Sequence, residues 1–138
     1  MKVTELMIGD WAIFNGNPLK VQAIDSRDSE IVAEDGIFCT EESRWAYTAD
    51  KVEGIPLTPE ILEKNGFGFV KSSDTDSVWN GQWIYKGLEL ATCCLNRDDN
   101  WPCFINIDDS NIKCEYVHQL QHALRLCKLD ELADNFKV

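Results

Sequence analysis

The fold of this chain is decided by the stretch Gly54-Ile55-Pro56-Leu57-Thr58-Pro59-Glu60-Ile61-Leu62-Glu63-Lys64-Asn65-Gly66-Phe67, which places one short helix between two β-rich segments. Thr58 is a good N-cap, and Pro59 occupies the first helical position, where its missing N–H costs nothing. Gly66 supplies the left-handed residue that commonly ends a helix. We therefore predict a short helix that begins at Pro59 and ends at Gly66.

The segment before this helix has the pattern of a β-meander. It contains short runs rich in β-branched and aromatic residues, a composition typical of strands. These runs are 11–14, 19–24, 30–34 and 37–40. Asn15-Gly16 and Asp35-Gly36 follow two of the runs and favour tight hairpin turns, because these residues tolerate positive φ. We predict about three to five strands in a small, strongly bent sheet or half-barrel.

Strands return after the helix and form a second antiparallel meander. The predicted strands are 68–71, 78–79, 82–85, 88–95 and 102–107. Asn80-Gly81 is predicted to be a turn, and 96–100 a polar turn. A final amphipathic helix is expected to begin near Asp109 to Asn111 and to end near Cys127, followed by a shorter helical piece at 130–136. Strands that are closed by a terminal helix predict the α+β class, with this helix packed on the sheet.

The size of the chain fits one compact domain over residues 1–138. At 138 residues and 44% hydrophobic residues, a real core can be buried without disulfide bonds. The pattern also suggests two sub-parts, a β-rich part at 1–57 and a part at 58–138 with helix, meander and helix. Whether the two β-rich parts share one sheet is left open by the sequence.

The charge of the chain is strongly acidic and evenly spread. The net charge is −11, from 24 acidic and 13 basic residues, and no cluster of Lys and Arg stands out. Proteins that grip phosphate backbones carry such clusters, so we expect no direct nucleic-acid binding. A field of this sign suits a basic protein partner, although most acidic domains are simply soluble.

The sequence also predicts a cytoplasmic protein with reduced cysteines. The first residues do not resemble a signal peptide, and no segment approaches about 18 uninterrupted apolar residues. In that compartment the six cysteines are expected to be small buried hydrophobes and not three disulfides. No membrane contact and no cofactor is predicted, and the oligomeric state is left open.

Three separated stretches of the chain form a recognisable combination. They are 6–11 with Asn15-Gly16 and Val21, then 54–67, and finally Tyr116-Val117-His118-Gln119-Leu120-Gln121-His122. Together they resemble an uncharacterised family of short proteins from anaerobic gut bacteria and their prophages or other mobile elements. The resemblance implies a bacterial cytoplasmic protein with an accessory role in mobile-element biology, and it implies no activity and no site residues. The family usually has Asn where this chain has His122, so a two-histidine site would not be a family trait.

The densest group of reactive side chains is Cys114, His118 and His122. They are spaced four apart on the predicted helix and would line one face of it. Two histidines at that spacing can share a zinc ion, with Cys114 as a third ligand. The glutamate of the helical zinc-protease motif is absent, which argues against a hydrolytic site. The apolar stripe of this helix is expected to contain Val117, Leu120, Leu124 and Cys127, which turns both histidines towards solvent.

The remaining cysteines and carboxylates predict structure more than chemistry. Cys93 and Cys94 are neighbours on one predicted strand, so their side chains point to opposite faces and cannot both enter one small metal site. No Cys-x-x-Cys pair occurs, which argues against a zinc ribbon and against a thioredoxin-type redox site. Asp98-Asp99 and Asp108-Asp109 are interpreted as turn and cap residues.

The second β-rich segment is unusually rich in aromatic residues. Trp83 and Tyr85 share a face of one predicted strand, and Trp79 and Trp101 lie on neighbouring segments. If the last helix covers this face, the rings belong to the core; if not, they form a binding surface for a peptide, sugar or base. The core interpretation is preferred, and the four residues are the candidate binding surface.

These patterns favour a non-enzymatic protein over an enzyme. The first hypothesis is a domain that binds another protein, as an accessory or regulatory factor linked to a mobile element. The alternative is a metal-dependent or thiol enzyme that uses Cys114, His118 and His122. A second alternative is an acidic DNA mimic that competes for a basic cleft, which requires carboxylates arrayed on one face.

Overall fold

The computed structural model describes residues 1–25, 30–35, 44–48, 51–71, 79–93, 103–107 and 110–138. The predicted strand at 37–40, the polar turn at 96–100 and Cys39, Cys94 and Trp101 lie outside these residues. The chain divides into two compact units, Met1–Ile55 with Val138 and Pro56–Lys137. In its described residues each unit contains one five-stranded antiparallel sheet, so the two β-rich parts form two sheets. The α+β class with a C-terminal helix is confirmed.

The first unit is a meander with one added strand. A 3₁₀ turn at Val3–Glu5 precedes its strands, which are β1 (Trp11–Phe14), β2 (Asn17–Asp25), β3 (Glu30–Asp35), β4 (Arg44–Thr48) and β5 (Glu53–Gly54). Their order in the sheet is β4-β3-β2-β1-β5. Among the side chains that the structure describes, its core cluster consists of Leu6, Ala12, Leu19, Val21 and Val52. Asn15 and Gly16 have φ angles of 50° and 81° between β1 and β2, which confirms the predicted turn.

The second unit combines a pure meander with three helices in its described residues. Its elements are α1 (Pro59–Lys64), β6 (Gly68–Lys71), β7 (Trp79–Tyr85), β8 (Leu88–Cys93), β9 (Cys103–Ile107), β10 (Ser110–Cys114), α2 (Val117–Leu126) and α3 (Asp130–Asp134). The strand order is β10-β9-β8-β7-β6, so each strand pairs with its neighbours in sequence. None of the helices in the described ranges is long and apolar enough to cross a membrane.

Helix α1 has the boundaries that its sequence predicts. The Thr58 hydroxyl accepts a hydrogen bond from Ile61 N at 3.3 Å, which caps the first turn. At the other end Gly66 has a φ of 84°. Phe67 N donates to Leu62 O at 3.1 Å and Gly66 N to Glu63 O at 3.0 Å, the pair of bonds of a Schellman motif. Local signals therefore suffice to begin and end this helix.

The prediction of a turn at Asn80-Gly81 is wrong, because both residues lie inside β7. The register of β7 against β8 shifts between Trp79 and Gly81, so Asn80 is the extra residue of a β-bulge. The turn lies instead between β7 and β8, where Lys86 and Gly87 have φ angles of 44° and 86°. The strand therefore runs through a dipeptide that elsewhere in this chain makes a hairpin.

The prediction that the last helix begins near residue 110 is also wrong. Residues 110–114 form β10, which pairs with β9 from Ser110 opposite Ile107 to Cys114 opposite Cys103. The alternation of polar residues with Ile112 and Cys114 fits the strand period, and only α2 from Val117 onward follows the helical one. Polar residues such as Asp109 and Asn111 are common at turns as well as at helix starts, so composition alone does not distinguish the two.

The register of the second sheet aligns an apolar residue on every strand. From β6 to β10 the residues opposite one another are Phe69, Trp83, Leu90, Ile105 and Ile112. Ile105 is fully buried and Trp83 is 5% exposed. Cys114, two residues beyond Ile112, is also fully buried, so this face of the sheet is the core face. We call this set of five residues the cross-strand row.

Candidate functional site

The structure separates the predicted metal ligands. Cys114 is the last residue of β10, whereas His118 and His122 lie on α2. The three residues therefore do not share one helix face. Over the described ranges, no group of three His, Cys, Asp or Glu side chains is arranged to hold a metal ion. The candidate set Cys114, His118 and His122 is thus not brought together as a three-ligand site.

The Cys114 side chain has the environment of a core thiol. It is fully buried, and its Sγ lies 3.9 Å from the backbone oxygen of Ile112. Burial raises the pKa of the Cys114 thiol to about 12. Because the thiolate is the nucleophile and the metal ligand, a thiol that stays protonated far above neutral pH is poorly suited to either role.

The expectation that His118 faces solvent is wrong. Its side chain is 4% exposed, and its ring is stacked with that of Tyr116 at a centroid distance of 5.8 Å. His122, one turn later, meets the His118 ring edge-on at 5.9 Å and is partly buried. The physical reason is that the buried side of α2 is wider than the apolar stripe: it includes His118 and Gln121 beside Val117, Leu120 and Leu124. Cys127, predicted to belong to that stripe, is only partly buried.

Two glutamines near the histidines serve the backbone. Gln119 Oε1 accepts hydrogen bonds from Glu115 N at 2.8 Å and Tyr116 N at 3.2 Å, which satisfies two N–H groups at the start of α2. Gln121 is fully buried, and its Nε2 donates to Ala133 O of α3 at 2.8 Å. The polar residues of this block therefore hold α2 and α3 in place, a role that the sequence did not reveal.

Of the four residues of the predicted aromatic surface, the structure describes the burial of two, Trp83 and Tyr85. Trp83 is buried and Tyr85 is partly buried, with its ring 5.3 Å from that of Phe67. The backbone of Trp79 lies in β7, and Trp101 is outside the described ranges. The preferred interpretation, that these rings pack in the core, holds for Trp83.

Two exposed apolar residues lie on β6, the last strand in the described part of the second sheet. Phe69 is 48% exposed and Val70 is 54% exposed, and as neighbours on a strand they point to opposite faces. The Phe69 ring lies against Trp83, with centroids 5.2 Å apart, and covers the backbone of Gly81. The sequence pattern predicts that β6 is a strand but not that it is an edge, because edge position depends on the pairing of all five strands. We call Gly68–Lys71 the β6 edge.

A second exposed apolar feature lies in the first unit. Met7 and Ile8 are exposed on a turn in which Asp10 N donates to Met7 O at 3.1 Å and Gly9 has a φ of 90°. The fully buried Asp10 braces it, since its Oδ2 accepts from Met7 N at 2.7 Å. This turn displays two apolar side chains, but unlike β6 it is not a strand of a sheet.

Comparisons with known proteins add no function. No protein-family model, curated protein or solved structure matches the chain. The resemblance to short proteins of gut bacteria therefore stays a prediction, and the function must be argued from the described residues alone.

Proposed function

We propose that this chain is a non-enzymatic domain that binds another protein, and that it does so through the β6 edge. The observation that carries the proposal is the exposure of two consecutive apolar residues, Phe69 and Val70, one on each face of the last strand in the described part of the sheet. Exposed apolar residues on an edge strand favour association, and natural proteins usually protect such edges. An accessory role for a mobile element is the setting that the family resemblance suggests.

The state of Cys114 supports a binding role over the alternative of a thiol or metal enzyme. A thiol with a pKa of about 12 is protonated at neutral pH. Because the thiolate is the reactive form, Cys114 is poorly suited to act as a nucleophile or a metal ligand. His118 is enclosed by neighbouring rings and is not presented to a substrate from solvent. These observations leave the exposed apolar edge as the feature best suited to a function.

The experiment is capture of partners with a matched pair of variants. Val70→Lys places a charge on the β6 edge, and Leu126→Lys places the same charge at an exposed apolar position of α2 that is 67% exposed. We expect the unaltered chain and Leu126→Lys to recover the same stoichiometric protein from an extract of the source cells, and Val70→Lys to lose it. Matching thermal melts confirm that both variants fold. Recovery of no stoichiometric partner, or equal recovery by Val70→Lys, would contradict the proposal.

A further inference from the structure

We infer that the partner contributes an extended, basic segment that joins the β6 edge as an additional strand of the second sheet. The inference rests on the proposed function and names the form of the partner. It is carried by three observations: the position of β6, the cross-strand row that ends at Phe69, and the charge of the chain.

The edge position of β6 provides the backbone groups with which an added strand would form hydrogen bonds. In the described part of the second sheet, β6 pairs with β7 on one side and is the last strand of the order. The backbone groups of an edge strand that point away from its neighbour form a ready template for another strand. Strand addition uses this template for affinity, while alternate side chains give specificity.

The opposite edge of the sheet differs. Just beyond β10, Leu57 N donates to Glu115 O at 2.9 Å, and Pro56 forms a bridge with Tyr116. The chain therefore pairs its own backbone beside that edge, where β10 leads into α2. No comparable pairing occurs beside Gly68–Lys71 within the described residues.

The cross-strand row explains why an added strand would be stabilised by side chains. The row ends at Phe69, whose ring packs against that of Trp83 although the residue is 48% exposed. An apolar side chain opposite Phe69 would extend the row by one position and cover the exposed part of the ring. Cross-strand pairs of an aromatic with a β-branched residue are favourable, so valine or isoleucine suits this place.

Charge decides between a foreign segment and a second copy of this chain. The net charge of −11 repels a second copy and attracts a basic segment, and this attraction also speeds encounter. A pairing of two four-residue edges would also bury much less than the roughly 1,200 Å² of a stable interface. A basic partner is not repelled by the charge of this chain, and contacts outside the strand would enlarge its interface.

The test uses a fluorescent seven-residue peptide of alternating lysine and valine with blocked ends, titrated into the full chain and followed by anisotropy. The control peptide has the same side chains and charge, but every internal backbone nitrogen is methylated. We expect the methylated peptide to bind about tenfold more weakly or worse, because it lacks the donors of a ladder. Amide chemical-shift changes are expected to centre on Gly68–Lys71 and β7. A third peptide, with glutamate in place of lysine, is expected not to bind.

Several outcomes would overturn the inference. Equal binding of the plain and methylated peptides would mean simple charge attraction, and equal binding of the glutamate peptide would remove the basic requirement. Shift changes that leave β6 unaffected would place the site elsewhere. Dimerisation of the unaltered chain that Val70→Lys abolishes would assign the edge to a second copy. The first three results leave the capture experiment free to support protein binding through β6, so the two proposals fail separately.

Discussion

The dipeptide Asn-Gly occurs twice in this chain and has two different structures. Asn15-Gly16 forms the hairpin turn between β1 and β2, with positive φ at both residues. Asn80-Gly81 lies within β7, and Asn80 is the bulge residue that shifts the register of β7 against β8. The same dipeptide thus forms a turn in one place and part of a strand in the other. Its structure therefore depends on the strand pairing around it, and local preference alone does not determine it.

The surroundings of the two glycines explain the difference. Among the described residues, no atom lies within 4 Å of the place where a Cβ on Gly16 would be, so Gly16 is needed for its backbone angle. At Gly81 that place is filled by the Phe69 ring, and Val70 O is 2.7 Å away. Gly81 is therefore needed for space, since a strand neighbour covers it with an aromatic ring. A glycine in a strand often marks such a close approach.

The largest effect is expected for Gly81→Ala. The added methyl group collides with the Phe69 ring and with Val70 O, so either the ring or the pairing of β6 with β7 must shift. We expect the free energy of unfolding to fall by about 3 kcal/mol, the upper range for overpacked sites. Urea denaturation followed by tryptophan fluorescence measures it. A loss as small as that at an unconstrained glycine would show that the ring does not occupy this space.

A double-mutant cycle separates the ring from the backbone as the cause. Phe69→Ala removes the ring atoms that meet the new methyl group, so Gly81→Ala is expected to cost less in that background, with a coupling of about 1 kcal/mol or more. Strict additivity of the two changes would mean that Val70 O, and not the ring, limits the space at Gly81.

The elements that sequence predicted well are those set by local signals. Thr58, Pro59 and Gly66 fix α1 through a cap, a preset φ and a left-handed residue, each of which acts within one turn. The strand at Gly68–Lys71 also matches its prediction. By contrast, β10 was mistaken for part of a helix because Asp109 and Asn111 suit either a turn or a helix start. The pairing of Ser110 with Ile107, which decides between them, depends on a distant strand order.

The second prediction concerns Gly16→Ala, where only the backbone angle is at stake. Alanine at a φ of 81° is strained, although no atom of the described ranges would meet its Cβ. We expect a loss of about 1 kcal/mol in the free energy of unfolding, from the cost of the left-handed region for a residue with a Cβ. The same urea titration measures it, and the result should not change in the Phe69→Ala background. If Gly16→Ala lowered the free energy of unfolding as much as Gly81→Ala, the two glycines could not be distinguished as one needed for its backbone angle and one needed for space.

The candidate site was harder to predict than the fold, because it depends on burial and edge position. His118 and Cys114 attract attention as chemical types, yet the structure encloses His118 beside Tyr116 and buries Cys114 on the core face of a sheet. Gln119 and Gln121, for which the sequence predicts no role, form hydrogen bonds with backbone groups near helix ends. Phe69 carried no chemical signal, and only the order of the five strands shows that it ends the row.

The smallest effect is expected for a substitution that introduces a glycine, at a position where the backbone angle favours glycine but the chain has lysine. Lys128 has a φ of 60° directly after α2, where Leu129 N donates to Leu124 O at 2.9 Å and Lys128 N to Arg125 O at 3.0 Å. These are the Schellman bonds that Gly66 supports after α1. Because Lys128 is exposed, Lys128→Gly should relieve the backbone without removing packing, and we expect a gain of about 0.5–1 kcal/mol. A small rise in the urea midpoint with an unchanged slope would confirm that the backbone angle alone makes glycine favourable at this position. A lower midpoint would mean that the lysine side chain stabilises the fold by more than its strained backbone destabilises it.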